Sequence, residues 1–168
     1  SGNAGGFAGE NDDAVIRLCG ASGEVTGGTH NTGGFIGVNT GGNARIENCY
    51  AQGKVTGSGK TGGFVGRDDY GAAVYYCYAS GMVNDNNGAG FEGYRYSSDI
   101  VRFCYYNSAN TGNRIGIPAS LAQLKNRSTY SGWDFERIWK ETEGGYPVIE
   151  IRGESAEVAI SGAGSEDN

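Results

Sequence analysis

The amino-acid sequence predicts an all-β fold, a parallel β-helix (solenoid) of about four coils with a C-terminal cap. Three observations predict it. An outline of G-G-F-x-G, an apolar residue and then C-Y-A-x-G-x-V recurs four times with decreasing fidelity, at a period of 27 to 29 residues. Within each copy small or apolar residues alternate with polar ones, the pattern of a strand with one buried face. The composition joins 32 glycines and 11 tyrosines to only two prolines, which means frequent tight turns between short, well-packed strands. There is no G-X-Y period, so collagen is excluded. Glycine content and β-branching oppose a helical solenoid, and a propeller needs longer units of four strands.

The most complete copy is Thr32 to Gly57, and the others run from Gly5 to Gly27, Gly62 to Val83 and Ala89 to Asn110. Each opens with a phenylalanine, Phe7, Phe35, Phe64 or Phe91, expected to stack on its equivalents. Gly-Gly before it allows a sharp corner. The next stretch, Asn39 to Asn43 in copy two and Arg67 to Gly71 in copy three, reads as a variable loop of turn residues. Ile16, Ile46, Val74 and Val101 follow, each three residues before a cysteine. Cys19, Cys49, Cys77 and Cys104 are separated by 30, 28 and 27 residues with no C-x-x-C, so zinc and thioredoxin readings fail on spacing. Equivalent atoms of stacked coils lie roughly 4.8 Å apart, a poor match to disulfide geometry. Four buried free thiols are expected. From each cysteine the inward positions continue as Cys49, Ala51, Gly53 and Val55, one strand, with Gln52 and Lys54 facing solvent. The fourth copy breaks this pattern with Tyr106, Ser108 and Asn110 and reads as the terminal coil.

These copies, G-G-F-I-G-V-N…I-E-N-C-Y-A-Q-G-K-V-T-G above all, resemble GLUG repeats, with phenylalanine in place of leucine at Phe35 and Phe64. The resemblance covers roughly residues 5–110. It implies a right-handed parallel β-helix within large secreted or surface-attached bacterial proteins, including adhesin-like chains and surface metallopeptidases of the IgA-protease type. It carries no catalytic residues. Beyond the array, Ile117 to Leu124 reads as a short helix with Leu121 and Leu124 on one face. The W-D-F…W…G-Y-P segment from Trp133 to Pro147 is similar to the stretch that commonly closes such arrays. The expected organisation is a β-helix over 1–116, a capping segment over 117–152 that covers the open end of the core, and a linker or tail over 153–168. Because Ser1 stands almost on a repeat, the chain is expected to be part of a longer one.

The formal charge of −6 and scattered Lys and Arg exclude a nucleic-acid stripe, and no apolar run is long enough for membrane insertion. Nothing calls for a cofactor. Glu10, Asp12 and Asp13 in copy one and Asp68 and Asp69 in copy three are expected to be solvated turn residues. Two coils apart, on the order of 10 Å, they exceed the separation for retaining glycoside hydrolysis and lie at the edge for inverting; a weak calcium site is the alternative. His30 is the only histidine and reads as an exposed loop residue. The candidate binding residues are Tyr50, Tyr78 and Tyr105, one position after a cysteine and facing outward. With Tyr76 and Tyr94 they would offer an aromatic strip to a host or extracellular glycan or protein. A ladder that only stiffens the stack, or a face covered by the C-terminal segment, is the competing reading. The functional expectation is a non-catalytic structural or adhesive module of a large bacterial cell-surface or secreted protein. Its rivals are an accessory substrate-placing module of a surface peptidase and a carbohydrate-active β-helix.

Overall fold

The four sequence copies are four coils of a parallel β-solenoid in a computed structural model that describes residues 2–96, 99–112 and 115–150. Coil two shows the plan, with strands at Asn31–Gly33, Ile36–Thr40, Arg45–Glu47, Tyr50–Ala51 and Val55–Thr56. Each strand pairs in parallel with its equivalents above and below, so the coil has five columns of strands, numbered here in chain order. The register is in phase throughout: Ile16, Ile46, Val74 and Val101 are direct partners in the third column. The phenylalanines stack as expected, with ring centroids 4.8 to 4.9 Å apart and planes within 6°. Phe35, Phe64 and Phe91 form the inner core with the cysteines and the alanine row Ala21, Ala51 and Ala79, while Phe7 stays about half exposed.

Two glycines show why small residues recur. A Cβ on Gly33 would lie 1.9 Å from the carbonyl oxygen of Ile36, and one on Gly53 would lie 1.8 Å from that of Gly23. The first allows the corner before phenylalanine; the second lets adjacent coils touch backbone to backbone.

Several expectations need correction. The single strand read from Cys49 to Val55 is two two-residue strands, Tyr50–Ala51 and Val55–Thr56, with a bend at Gln52–Lys54. Inward-facing alternation survives that bend, which is why the pattern looked continuous. The loops read over 39–43 and 67–71 begin later than expected, since the second column runs Ile36–Thr40 and Val65–Asp69 and the turns start only at Gly41 and Tyr70. The helix expected over 117–124 is confined to Leu121–Leu124, started by a Ser120 capping box with Gln123. Ile117–Ala119 instead adds a fifth strand to the fourth column. Leu124 is buried, whereas Leu121 is exposed.

The C-terminal segment takes the place that the competing reading gave it, over the tyrosine face. It covers the flank of the solenoid along the fourth column, and the end of the alanine row is closed from inside by Tyr106. That ring occupies the register position of Ala79 and lies against Gly90, which has no Cβ to obstruct it. The segment 153–168, expected to be a linker or tail, lies outside the described residues.

Candidate functional site

The tyrosine row Tyr50, Tyr78 and Tyr105 does face out of the coil and is in register. It is not an open strip. Tyr78 is fully buried, Tyr105 nearly so and Tyr50 half-buried. The cause is a second aromatic core, in which Tyr130, Trp133, Trp139 and Tyr146 of the C-terminal segment pack on the row. Polar tips are satisfied inside it, as buried Tyr and Trp require. Tyr78 donates from its hydroxyl to the Pro147 carbonyl at 2.7 Å and accepts from the Gln52 amide at 2.6 Å. Trp133 Nε1 donates to the Phe103 carbonyl, and Trp139 Nε1 to Asn48 Oδ1. Burial pushes the Tyr78 and Tyr130 hydroxyls well above the usual tyrosine range. In copy one the row holds Gly20, because the Tyr50 ring lies where a side chain there would go.

The cysteines are all free, and the inner three are buried. Each thiol donates to the carbonyl two residues earlier, at 3.1 to 3.3 Å. The residue between is left-handed in every coil: Leu18, Asn48, Tyr76 and Phe103 have φ of 51° to 58°. That corner turns a carbonyl inward, and a thiol is a donor small and apolar enough to meet it in the core. Burial pushes the Cys77 thiol far up, away from the reactive thiolate.

The acids also depart from expectation. Glu10, Asp12 and Asp13 are exposed, but Asp68 and Asp69 are sealed in the second column. Asp69 is ion-paired to Arg67. Asp68 stands in register with Asn39 and Asn11, as the third rung of an internal polar ladder in which Asn11 Nδ2 donates to Asn39 Oδ1 at 2.8 Å. Neither Asp68 oxygen has a hydrogen-bond partner, and the Asn39 amide nitrogen next in the ladder is also unpaired. Burial first and then the neighbouring Glu92 hold the Asp68 carboxyl well above the usual range; Asn39 opposes them, and Asp99 raises and Arg95 lowers it by less. Glu92, fully buried and bonded to Arg95 at 2.8 Å, is raised as well. The signal for this cluster was present in the sequence: Asn11, Asn39 and Asp68 occupy the same repeat position.

Among the described residues no group of three His, Cys, Asp or Glu side chains is placed to hold a metal ion. His30 is exposed in its turn. A cleft of about 600 Å³ lies between the end of the fourth column and the cap, walled by Tyr105, Ala119, Gln123, Asn126 and Thr129, with no carboxylate or histidine. No described helix is long and apolar enough to cross a membrane.

Fold and site together define a repeat-built parallel β-solenoid with an aromatic second core along one flank. The family model of the GLUG motif matches residues 28–56, the coil-two copy with its glycine corner, phenylalanine and cysteine. The chain therefore carries the GLUG motif, which supports its assignment to the GLUG-repeat family. No curated protein and no solved structure matches the chain.

Proposed function

We propose that the chain is a non-catalytic module of a large bacterial protein, extracellular or on the cell surface, acting as a rigid spacer or presenting surface. The observation that carries this reading is the unbroken in-phase register of the columns, splinted along one flank by the aromatic cap. Such an object resists bending, because every coil is tied to its neighbours by several strands at once. Asp68, Asp69, Glu92 and three of the four thiols are held inside the fold. The test exchanges the module within its parent chain. A length-matched unrelated β-solenoid restores the reach and activity of the distal parts, whereas a Gly-Ser linker of equal residue count does not. Full activity with the linker, or none with the foreign solenoid, overturns the spacer role.

A further inference from the structure

The outer face of the third column is unlike the rest of the surface. Its strands, Val15–Arg17, Arg45–Glu47, Ala73–Tyr75 and Ile100–Arg102, send one residue of three into the core and two outward. In a chain of net charge −6, these outward rows hold Arg17, Arg45 and Arg102 against a single carboxylate, Glu47. Glu47 is buried beneath the first two, with Arg17 Nε at 2.6 Å, and Arg45 also lies 4.8 Å over the Tyr75 ring. Arg102 is exposed and has no acidic partner among the described residues.

Two pairs of stacked rings border this face. Tyr70 and Tyr96, with centroids 6.1 Å apart, precede its last two strands; Tyr76 and Phe103, at 5.1 Å, follow them directly. Tyr70 is 68% exposed, Tyr96 55% and Phe103 44%. Tyr76 is half-buried against the cap, whereas Tyr70, Tyr96 and Phe103 keep exposed faces. At the end of the face a depression of about 350 Å³ opens with Arg102, Phe103 and Ile117 in its wall, large enough for one small ring.

We propose that the third-column face binds an acidic polysaccharide, with a sugar carboxylate on Arg102 and sugar rings on Tyr96 and Phe103. A guanidinium fork matches a carboxylate, and exposed aromatic faces suit the apolar side of a pyranose. Charge spaced along a saccharide, one carboxylate per residue or two, fits three arginines on an otherwise acidic protein better than the dense charge of a nucleic acid does. The face is shallow and lacks the deep anchor pockets of peptide recognition. The inference goes beyond the spacer reading and does not depend on it: a solenoid that binds nothing here remains rigid.

The test titrates the full chain with oligogalacturonate, with its carboxyl-reduced neutral counterpart and with an acidic peptide of equal charge. Oligogalacturonate binds, and the other two bind at least about tenfold more weakly, the loss of one charge-assisted contact. Arg102→Gln and Tyr96→Ala, both at exposed positions, each weaken oligogalacturonate about tenfold, while Lys54→Gln, at an exposed position outside the third column, leaves it unchanged. Absence of oligogalacturonate binding overturns the proposal. So does equal binding of the peptide, or an equal effect of Lys54→Gln, because either reduces the interaction to charge alone.

Discussion

At the scale of single residues, Asp68 is the position where repeat logic and electrostatics disagree. Two asparagines precede it in the ladder, and a carboxylate takes their place with neither oxygen paired. Its folded pKa is raised, as are those of Glu92 and Asp99. A carboxyl with a raised folded pKa binds its proton more tightly in the folded state than in the unfolded one. Its contribution is fully present below the ordinary carboxylate range and is lost as pH rises through the folded value. Asp68→Asn is therefore expected to be more stable than the parent chain at neutral pH and equal to it in acid. Urea melts at pH 4 and pH 7 check this; a difference between the two chains that does not grow with pH removes the explanation. Gly53 offers a steric counterpart. Gly53→Ala places a methyl against the Gly23 carbonyl and is expected to cost about 1–3 kcal/mol, the range for overpacking, read as a lower urea midpoint at unchanged slope.

At the scale of elements, the columns were legible because each strand repeats its inward residues at a fixed place in every copy. Phe35 on Phe64 and Ile46 on Val74 follow from alignment alone. For Tyr50, Tyr78 and Tyr105 the sequence left an open strip and a covered face as alternatives without deciding between them, and the covered face holds. Period-two alternation tells which side of a strand a residue occupies, but not what lies on the far side of that surface. The partners of Tyr78 come from Tyr130 to Pro147, across a separation no repeat encodes. Asp68 was misread for a different reason: turn-forming residue types near Gly71 masked a strand that continues to Asp69. The cysteines are free as read, and three of the four are buried while Cys19 in coil one is only half-buried; their reason, a carbonyl turned inward by a left-handed Leu18, Asn48, Tyr76 or Phe103, depends on backbone angles that residue type does not announce. The cap has its own prediction. Trp139, fully buried, packs on Tyr50, Tyr78 and Trp133. Trp139→Ala is expected to cost about 3–5 kcal/mol, as large aromatic truncations do, and to raise binding of a hydrophobic dye as the tyrosine row opens. Unchanged stability and dye signal would show the second core to be dispensable.

At the scale of the whole molecule, stability is distributed unevenly along the axis. The cap reaches coil two through Asn48 and Tyr50, but coil one keeps Phe7 and Val15 about half exposed. In a stack where each coil is held by its neighbours, the least buried coil opens first. Amide hydrogen exchange is expected to be fastest in coil one and slowest in coils two and three, where Ile46, Val55 and Val74 are fully buried. Uniform exchange along the axis would contradict this gradient. The flank position of the cap also bears on how the protein yields to a load. Coils held only end to end would peel one at a time, giving ground gradually, like a spring. Here the bonds from Trp139 to Asn48 and from Trp133 to Phe103 tie coil two and coil four to a single strap. Tension along the axis is shared across three coils until the strap tears, so the molecule is brittle where its repeats alone would have made it extensible.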